Sequence, residues 1–409
     1  PLVMTYEQIL SHPPKGGSGS ETRLANHLDE TARRLVTIGR FDTGSHTVSE
    51  RVASVTGWLH DFGKVTPEFQ AYLRGSYTGP TQRRYHARIS AFAGFWAARK
   101  LGATDRDSLA TFVAIARHHG GLPDLIEYLV ERVADAESSD KIHNYATQQV
   151  ASIDAETSEA AETILDSAID GSGSWSEFQR AMTSGRLVDS VTDLVAEEEA
   201  FGYLNPVPED LPPKQYDSTL ALWSALTFAD KTAASGIDRD DLTPTRLDRD
   251  ELDAYIRGLP QGTGRTARLN DAREKARQEA LRNTQTRLVP DGSDVGVLTL
   301  PTGLGKTFTG TSVALSLQER IHTERSDDTP PTIVYALPFT AIIEQTRSLF
   351  EDPDIFGADP RSHSFTVHHH LSETITFPTS EGKLNGGDLD TTVPAAGLLG
   401  ESWRSGLVL

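Results

Sequence analysis

His60 and Asp61 stand side by side in the run Trp58-Leu-His-Asp-Phe-Gly-Lys64, and Lys64 follows the carboxylate by one helical turn. An adjacent imidazole and carboxylate offer a divalent cation a nitrogen and a hard oxygen from consecutive residues. Alone the doublet is weak, since a His beside an Asp is usually an ordinary surface pair. Further donors strengthen it: His27, His86, the pair His118-His119 and Asp230 all recur in or at the ends of apolar, helix-like stretches. Asp230 closes the apolar run from Ser218, and a carboxylate buried there needs a partner, because an isolated buried charge costs several kcal/mol or more. Metal coordination supplies one. Six or seven protein ligands exceed what one ion needs and suit two octahedral ions sharing a bridging carboxylate. Two such ions clamp the attacking and leaving oxygens of a phosphodiester displacement and bring the pKa of a water from about 15.7 toward ~7, so phosphoester hydrolysis is the chemistry indicated. The triplet His368-His-His370 has metal-binding composition as well, but its position after the nucleotide-binding turn described next favours a loop lining a cleft.

A second constellation lies at Leu298-Thr-Leu-Pro-Thr-Gly-Leu-Gly-Lys-Thr307. A Gly-rich turn between a strand and a helix is the context of a phosphate-binding loop, where backbone N–H groups and the helix N-terminus hold phosphate oxygens. Gly303 and Gly305 shape that turn, Lys306 reaches the β and γ phosphates of ATP, and Thr307 binds its Mg²⁺. Leu300 stands where the usual pattern has its first Gly.

These residues need elements to position them. The first twenty residues, with Pro13-Pro14 and Gly16-Gly-Ser-Gly-Ser20, read as a flexible lead-in. A helix from near Glu21 places His27 on the face of Leu24, Leu28 and Leu35. Ser49 is positioned to cap the next helix, which buries Val52, Val55 and Leu59 and delivers His60-Asp61 at its end, where Gly63 stops or kinks it. Short helical stretches follow over residues 66–73 and 85–100, the second holding His86 one turn before Ser90. Another, over 108–119, is stopped by Gly120-Gly121 directly after His118-His119. The stretch 134–174, rich in Ala, Ser and acidic residues, reads as exposed helices or an insertion. Beyond a linker at 236–250 and a charged helix at 266–283, the pattern changes type. Val295 to Leu300 reads as an apolar strand, 309–319 as a helix and 332–337 as a second strand, an α/β alternation with a parallel sheet. The expected domains are therefore residues 1–245, all-helical; 246–290, linker and helix; and 291–409, α/β.

Composition bounds the partners. With 409 residues the chain holds two or three compact units. It has no Cys, which excludes disulfides and thiolate metal sites and points to a reducing, cytoplasmic setting. No apolar run approaches the ~20 residues of a membrane span, so no membrane is expected as partner. The net charge of −19 argues at face value against nucleic acid as a partner. An acid-rich, Arg-over-Lys surface suits a halophilic cytoplasm, where ~molar salt shortens the Debye length to about 3 Å.

In order, His27, His60-Asp61 with Gly63-Lys64, His86, His118-His119 and Asp230 resemble the HD-type nuclease domain of the CRISPR-associated helicase-nuclease family of type I systems. The resemblance implies that His27, His60, Asp61 and Asp230 hold one ion and that Asp61, His86, His118 and His119 hold the second. Asp61 would bridge, and Lys64 would face the scissile phosphate or the attacking water. The metals expected are two divalent ions among Mn, Fe, Ni, Co or Mg. The Pro-Thr-Gly-x-Gly-Lys-Thr form is similar to that of superfamily 2 helicases. From that likeness, Gln278 sits where such helicases read adenine, Tyr335-Ala-Leu-Pro-Phe-Thr340 resembles a motif that contacts the DNA backbone, and residues 291–409 form part of a RecA-like P-loop domain. No Asp-Glu box follows, so the chain is expected to be a C-terminally truncated piece with at most weak ATP binding. The resemblance thus implies a multi-domain, metal-dependent single-stranded DNA endonuclease with an ATP-dependent helicase portion, acting with a crRNA-guided surveillance complex in antiviral defence. A phosphohydrolase of small nucleotides, and a nucleotide-sensing P-loop protein with an inactive HD fold, are the alternatives.

Overall fold

The computed structural model describes residues 6–12, 22–38, 49–200, 214–235, 247–288, 295–325, 330–350, 355, 365–367 and 407–408. The chain divides into two compact units, with the change falling between Gly236 and Ile237. The triplet 368–370 and the glycine-rich stretch 16–20 lie outside the described residues.

The first unit is helical. A short antiparallel pair, β1 (Leu10–His12) and β2 (Thr22–Arg23), precedes α1 (Leu24–Ile38), whose Leu24, Leu28, Thr31 and Leu35 form the buried stripe that a helix of period 3.6 presents to a core. The lead-in expected to be flexible is thus corrected over residues 9–12, which are buried. The Gln70 side chain satisfies the backbone there, donating to Leu10 O at 2.8 Å and accepting from Leu10 N at 3.0 Å. Next comes α2 (Glu50–Leu59), capped by Ser49 Oγ, which accepts from Val52 N. A 3₁₀ turn (Phe62–Val65) leads to α3 (Pro67–Leu73), with Thr66 as its cap and Pro67 at its first position. Then α4 (Ala87–Lys100) and α5 (Asp105–Arg117) pack on each other through Phe92 and Phe112, ring centres 5.1 Å apart. The α5 helix starts earlier than expected because the Thr104 hydroxyl caps it, and it ends before the His pair.

The stretch expected as exposed forms α6 (Ala136–Glu156), α7 (Ser158–Ile169) and most of the approach to α8 (Ser174–Thr183). It is no insertion. Ala and Ser dilute its mean hydropathy, yet Ile142, Ala146, Val150 and Ile153 recur at helical spacing and are buried. Phe178 closes on Phe62 and Trp96, each at 5.8 Å between ring centres. After α9 (Arg186–Ala200), α10 (Lys214–Ser235) packs against α1 and α5. No described helix is long and apolar enough to cross a membrane.

The second unit carries α11 (Arg249–Gly258), α12 (Arg265–Asn283), α13 (Lys306–Arg325) and α14 (Thr340–Phe350). With them are three short strands, β3 (Ile333–Val334), β4 (Phe365–Thr366) and β5 (Leu407–Val408), in parallel order β3-β5-β4. Leu247, Leu252, Leu315, Ile343, Phe350 and Leu407 make its core, so residues 247–258 pack as part of this unit rather than hang as a linker. Residues 295–300 belong to no strand, and Val295, Val297 and Leu298 are exposed. A continuous apolar run becomes a strand only where another strand pairs with its backbone. Here the described parallel strands are 333–334, 365–366 and 407–408.

Candidate metal centre

Two glycines let the backbone draw the donors together. At Gly57 a Cβ would stand 2.5 Å from the Ala32 Cα, so only Gly allows α2 to lie this close to α1, which carries His27. At Gly63 a Cβ would stand 2.4 Å from the His86 carbonyl oxygen, and the Gly63 N–H donates to Ser90 Oγ at 2.8 Å. Gly63 therefore neither ends nor kinks α2. It lets the 3₁₀ turn touch the start of α4, where His86 is the N-cap residue. On the far side, Trp223 Nε1 of α10 donates to Arg117 O at 2.9 Å and ties the helix bearing Asp230 to the end of α5, just before His118.

Seven side chains meet as a result. Asp61 Oδ1 lies 3.1 Å from His86 Nε2 and 3.5 Å from His118 Nε2, while its Oδ2 lies 3.4 Å from both His27 Nε2 and His60 Nε2. Asp230 Oδ1 lies 3.0 Å from His27 Nε2 and 3.4 Å from His60 Nε2. His86 and His119 face each other at 2.8 Å between Nε2 atoms. The donors fall into two groups, His27-His60-Asp61-Asp230 and Asp61-His86-His118-His119, and within each group the ligand atoms lie within 4.8 Å of one another. Asp61 belongs to both. Except for the partly exposed His119, all seven are buried.

The details fit divalent cations. His60 Nδ1 is 2.8 Å from the Gly57 carbonyl and His118 Nδ1 is 2.6 Å from the Ile115 carbonyl. A ring that gives its Nδ1–H to a carbonyl turns Nε2 inward as a ligand, the usual outer support of a metal-bound imidazole. Both Asp61 oxygens and His118 Nε2 are buried without a well-aligned hydrogen bond, although Lys64 Nζ stands 2.8 Å from Asp61 Oδ2. Buried oxygens left in that state ask for a cation. Lys64 is itself buried, and its ammonium also donates to Ser11 O at 3.3 Å. Lys64 thus touches the shared carboxylate and the β1 backbone, and its ammonium lies 5.6 Å from the centre of the Phe69 ring.

The charges follow. Burial works to lift the Asp61 carboxyl, but Lys64 and His60 outweigh it and hold the group well below the ordinary carboxylate range. Asp230 is held down likewise by hydrogen bonds from His27 and His60. Burial works to lower His60, yet the Asp61 charge and the bond to Asp230 raise it to about 10. Burial lowers His86, and it lowers His119 further with the help of His118 and His86. Two anionic carboxylates thus face two cationic groups, Lys64 and His60, while His86 and His119 stay neutral. Neutral imidazoles and ionised carboxylates are the forms that bind a metal.

Sequence reasoning missed the supporting residues. His12 packs edge-on against His27, ring centres 5.0 Å apart, and Gln70 donates to Lys64 O at 2.7 Å while holding β1. The apolar pair Ile9-Leu10 immediately before Ser11-His12 was the available signal.

In the second unit, Gly303 and Gly305 have positive φ, 84° and 74°, and α13 begins at Lys306, which is exposed. Thr307 occupies its first turn, and its carbonyl accepts from Thr311 Oγ1 at 2.8 Å. Gln278 is exposed on α12, and its amide donates to Glu274 at 2.7 Å. The residue of α12 that reaches the turn is Arg273, whose Nε donates to Gly303 O at 2.8 Å. Tyr335 follows β3, and Thr340 opens α14.

Residues 20–189 match the family model described as Cas3, HD domain. Over 422 aligned residues, 99% of this chain, the sequence is 38% identical to the CRISPR-associated nuclease/helicase Cas3 of Haloferax volcanii. The chain spans 44% of that curated relative. The T. fusca Cas3–ADP crystal structure is similar over 91% of this chain and 40% of its own, at 19% identity and a TM-score of 0.49. The T. fusca Cas3–ATP structure is similar over 88% and 39%, at 18% identity and a TM-score of 0.40.

Proposed function

We propose that this chain belongs to the Cas3 family, with the family's HD domain over residues 20–189, and that its first unit is a metal-dependent nuclease acting on single-stranded DNA. The observation that carries the reading is a single buried carboxylate, Asp61, shared by two four-residue ligand groups. His27, His60, Asp61 and Asp230 would hold one divalent ion, and Asp61, His86, His118 and His119 the other. When bound, the pair supplies Lewis acidity toward the phosphodiester and lowers the pKa of a water. The chain's own residues do the rest. Gly57 O and Ile115 O orient His60 and His118 through Nδ1. Lys64, rather than meeting substrate, holds Asp61 between the two groups. The wall built by α1, α2, α4, α5 and α10 keeps bulk water off all but the His119 edge, which strengthens every electrostatic contact inside. The metal is Mn, Fe, Ni, Co or Mg.

For the second unit we infer a partial RecA-like motor domain. Gly303, Gly305, Lys306 and Thr307 would cradle the phosphates of ATP with its Mg²⁺, and Gln278 is the sequence-based candidate for adenine. The Haloferax volcanii relative is a nuclease/helicase. On that reading residues 1–245 form the nuclease domain, 246–290 the connecting helices and 291–409 the start of an ATP-dependent helicase. The whole protein would degrade invading DNA exposed by a crRNA-guided surveillance complex, in the cytoplasm of a salt-adapted cell. The test is to strip metal from the chain with EDTA, return each candidate ion, and assay cleavage of a single-stranded oligonucleotide alongside metal analysis. Cleavage returning as two ions bind per chain supports the reading, and no cleavage with any ion refutes it.

A further inference from the structure

The charge of the chain is unevenly spread beside the metal centre. The protein has 58 acidic and 39 basic residues, yet no Asp or Glu occurs between Glu68 and Asp105. An even spread would put about five acids in those 36 residues. Of the basic residues within the stretch, Arg99 and Lys100 pair with Asp105 and Glu177. Arg83, Arg84 and Arg88 form no ion pair among the described residues. Arg83 donates to Gln148 Oε1 at 3.0 Å, and the Arg84 guanidinium stacks 4.1 Å from the centre of the Tyr72 ring.

Among these arginines stands Tyr85, 56% exposed and directly before His86. Its backbone is not loose. The side chain of Gln149, itself only 4% exposed, donates to Tyr85 O at 2.8 Å and to Arg83 O at 3.2 Å. Exposing a large aromatic ring forfeits burial, and fixing the backbone under it costs entropy. Its neighbour His86 is 8% exposed and lies 2.8 Å from His119, the most open edge of the ligand cluster. A rigidly mounted ring, flanked by cations without carboxylate partners and one residue from the reactive centre, has the composition of a stacking platform for unpaired bases.

We propose that Tyr85, with Arg84 and Arg88, forms a binding strip for single-stranded DNA that feeds the metal centre past His86. This rests on the nuclease reading of that centre and adds how it selects an unpaired strand. A base stacked on Tyr85 must be free of its partner, so duplex DNA cannot use the platform. Arg84 and Arg88 take backbone phosphates on either side. The two contributions separate by salt, because phosphate contacts weaken as counterions compete and stacking does not.

The test uses the full chain in EDTA, so that the strand is not cut, and a fluorescent oligothymidylate of about fifteen nucleotides, within the range one such platform engages. Anisotropy titrations compare wild type, Tyr85→Ala, Tyr85→Trp and the double variant Arg84→Gln/Arg88→Gln, each shown to be folded by its thermal transition. Tyr85→Ala should weaken binding about tenfold at every salt concentration, with Tyr85→Trp restoring it. The double variant should flatten the dependence of log Kd on log salt by roughly 1.4, about 0.7 for each phosphate of the single strand that the two arginines would otherwise neutralise. Wild-type Kd values for Tyr85→Ala and for the double variant would overturn the strip, as would equally tight binding of a duplex of the same length. Turnover of bis(p-nitrophenyl) phosphate by metal-loaded wild type tests the metal centre separately: its absence counts against the nuclease reading, while the anisotropy result decides the strip.

Discussion

Returning metal to the chelated protein should expose a difference between the two ligand groups, because they hold their protons differently. His60 is raised to about 10, so in the metal-free protein it carries a proton at neutral pH. His86 and His119 are pushed below their ordinary value and do not. A metal takes only the unprotonated ring, so binding that recruits His60 must expel a proton. Working at pH 7.5 leaves about 2.5 units to the His60 value of about 10, worth about 3 kcal/mol, or a loss of affinity of a few hundredfold relative to the fully deprotonated ring. The sign is set by a raised pKa. The proton's contribution to the metal-free fold is complete below the ordinary His value of about 6.5 and is lost as pH climbs through about 10, and metal affinity at this group climbs over the same window. An ion already on Asp61 weakens the hold on that proton, which flattens the slope but leaves the proton count unchanged. Calorimetric titration with Mn²⁺ in buffers of different ionisation enthalpy counts the protons. The step that recruits His60 should release one proton more than the step that recruits His86 and His119. Two steps releasing the same number of protons at pH 7.5 would refute the charge assignment.

Asp61→Asn should remove both ions, lowering metal content toward zero and single-stranded DNA cleavage by at least about a thousandfold, since the two proposed ions would share this ligand; metal content near two per chain in the variant would contradict it. Gly63→Ala places a methyl 2.4 Å from the His86 carbonyl oxygen and should cost about 1–3 kcal/mol of stability, read by urea unfolding, and weaken metal binding as His86 is displaced from Asp61. Lys306→Ala should weaken binding of a fluorescent ATP analogue at least about tenfold, because it removes the cation that would meet the β and γ phosphates on the proposed reading. Arg273→Ala should also weaken it, by loosening the Gly303 carbonyl it holds at 2.8 Å; unchanged analogue affinity in both variants would remove the nucleotide site from the second unit.

The sequence by itself determined the candidate donors and their local settings. Ligand type is a property of the side chain, and helical burial shows in apolar spacing, so His27, His60, Asp61, His86, His118, His119 and Asp230 were legible as a set from residues far apart in the chain. The Ser49 cap and the glycine turn at 303–305 were legible for the same local reason. Tertiary structure decided what depends on distance between elements. That Asp61 presents one oxygen to His86 and His118 and the other to His27 and His60 depends on α2 meeting α1 at Gly57 and the 3₁₀ turn meeting α4 at Gly63, close approaches with no signature along the chain. Lys64 turned inward because Ser11 O and Asp61 compensate its buried charge, and β1 was brought to it by Gln70, sixty residues from Leu10. Mean composition hid the buried stripe of α6, where Ala and Ser dilute four apolar positions on one face. It also made 295–300 look like a strand, although an apolar run becomes one only when another strand pairs with its backbone.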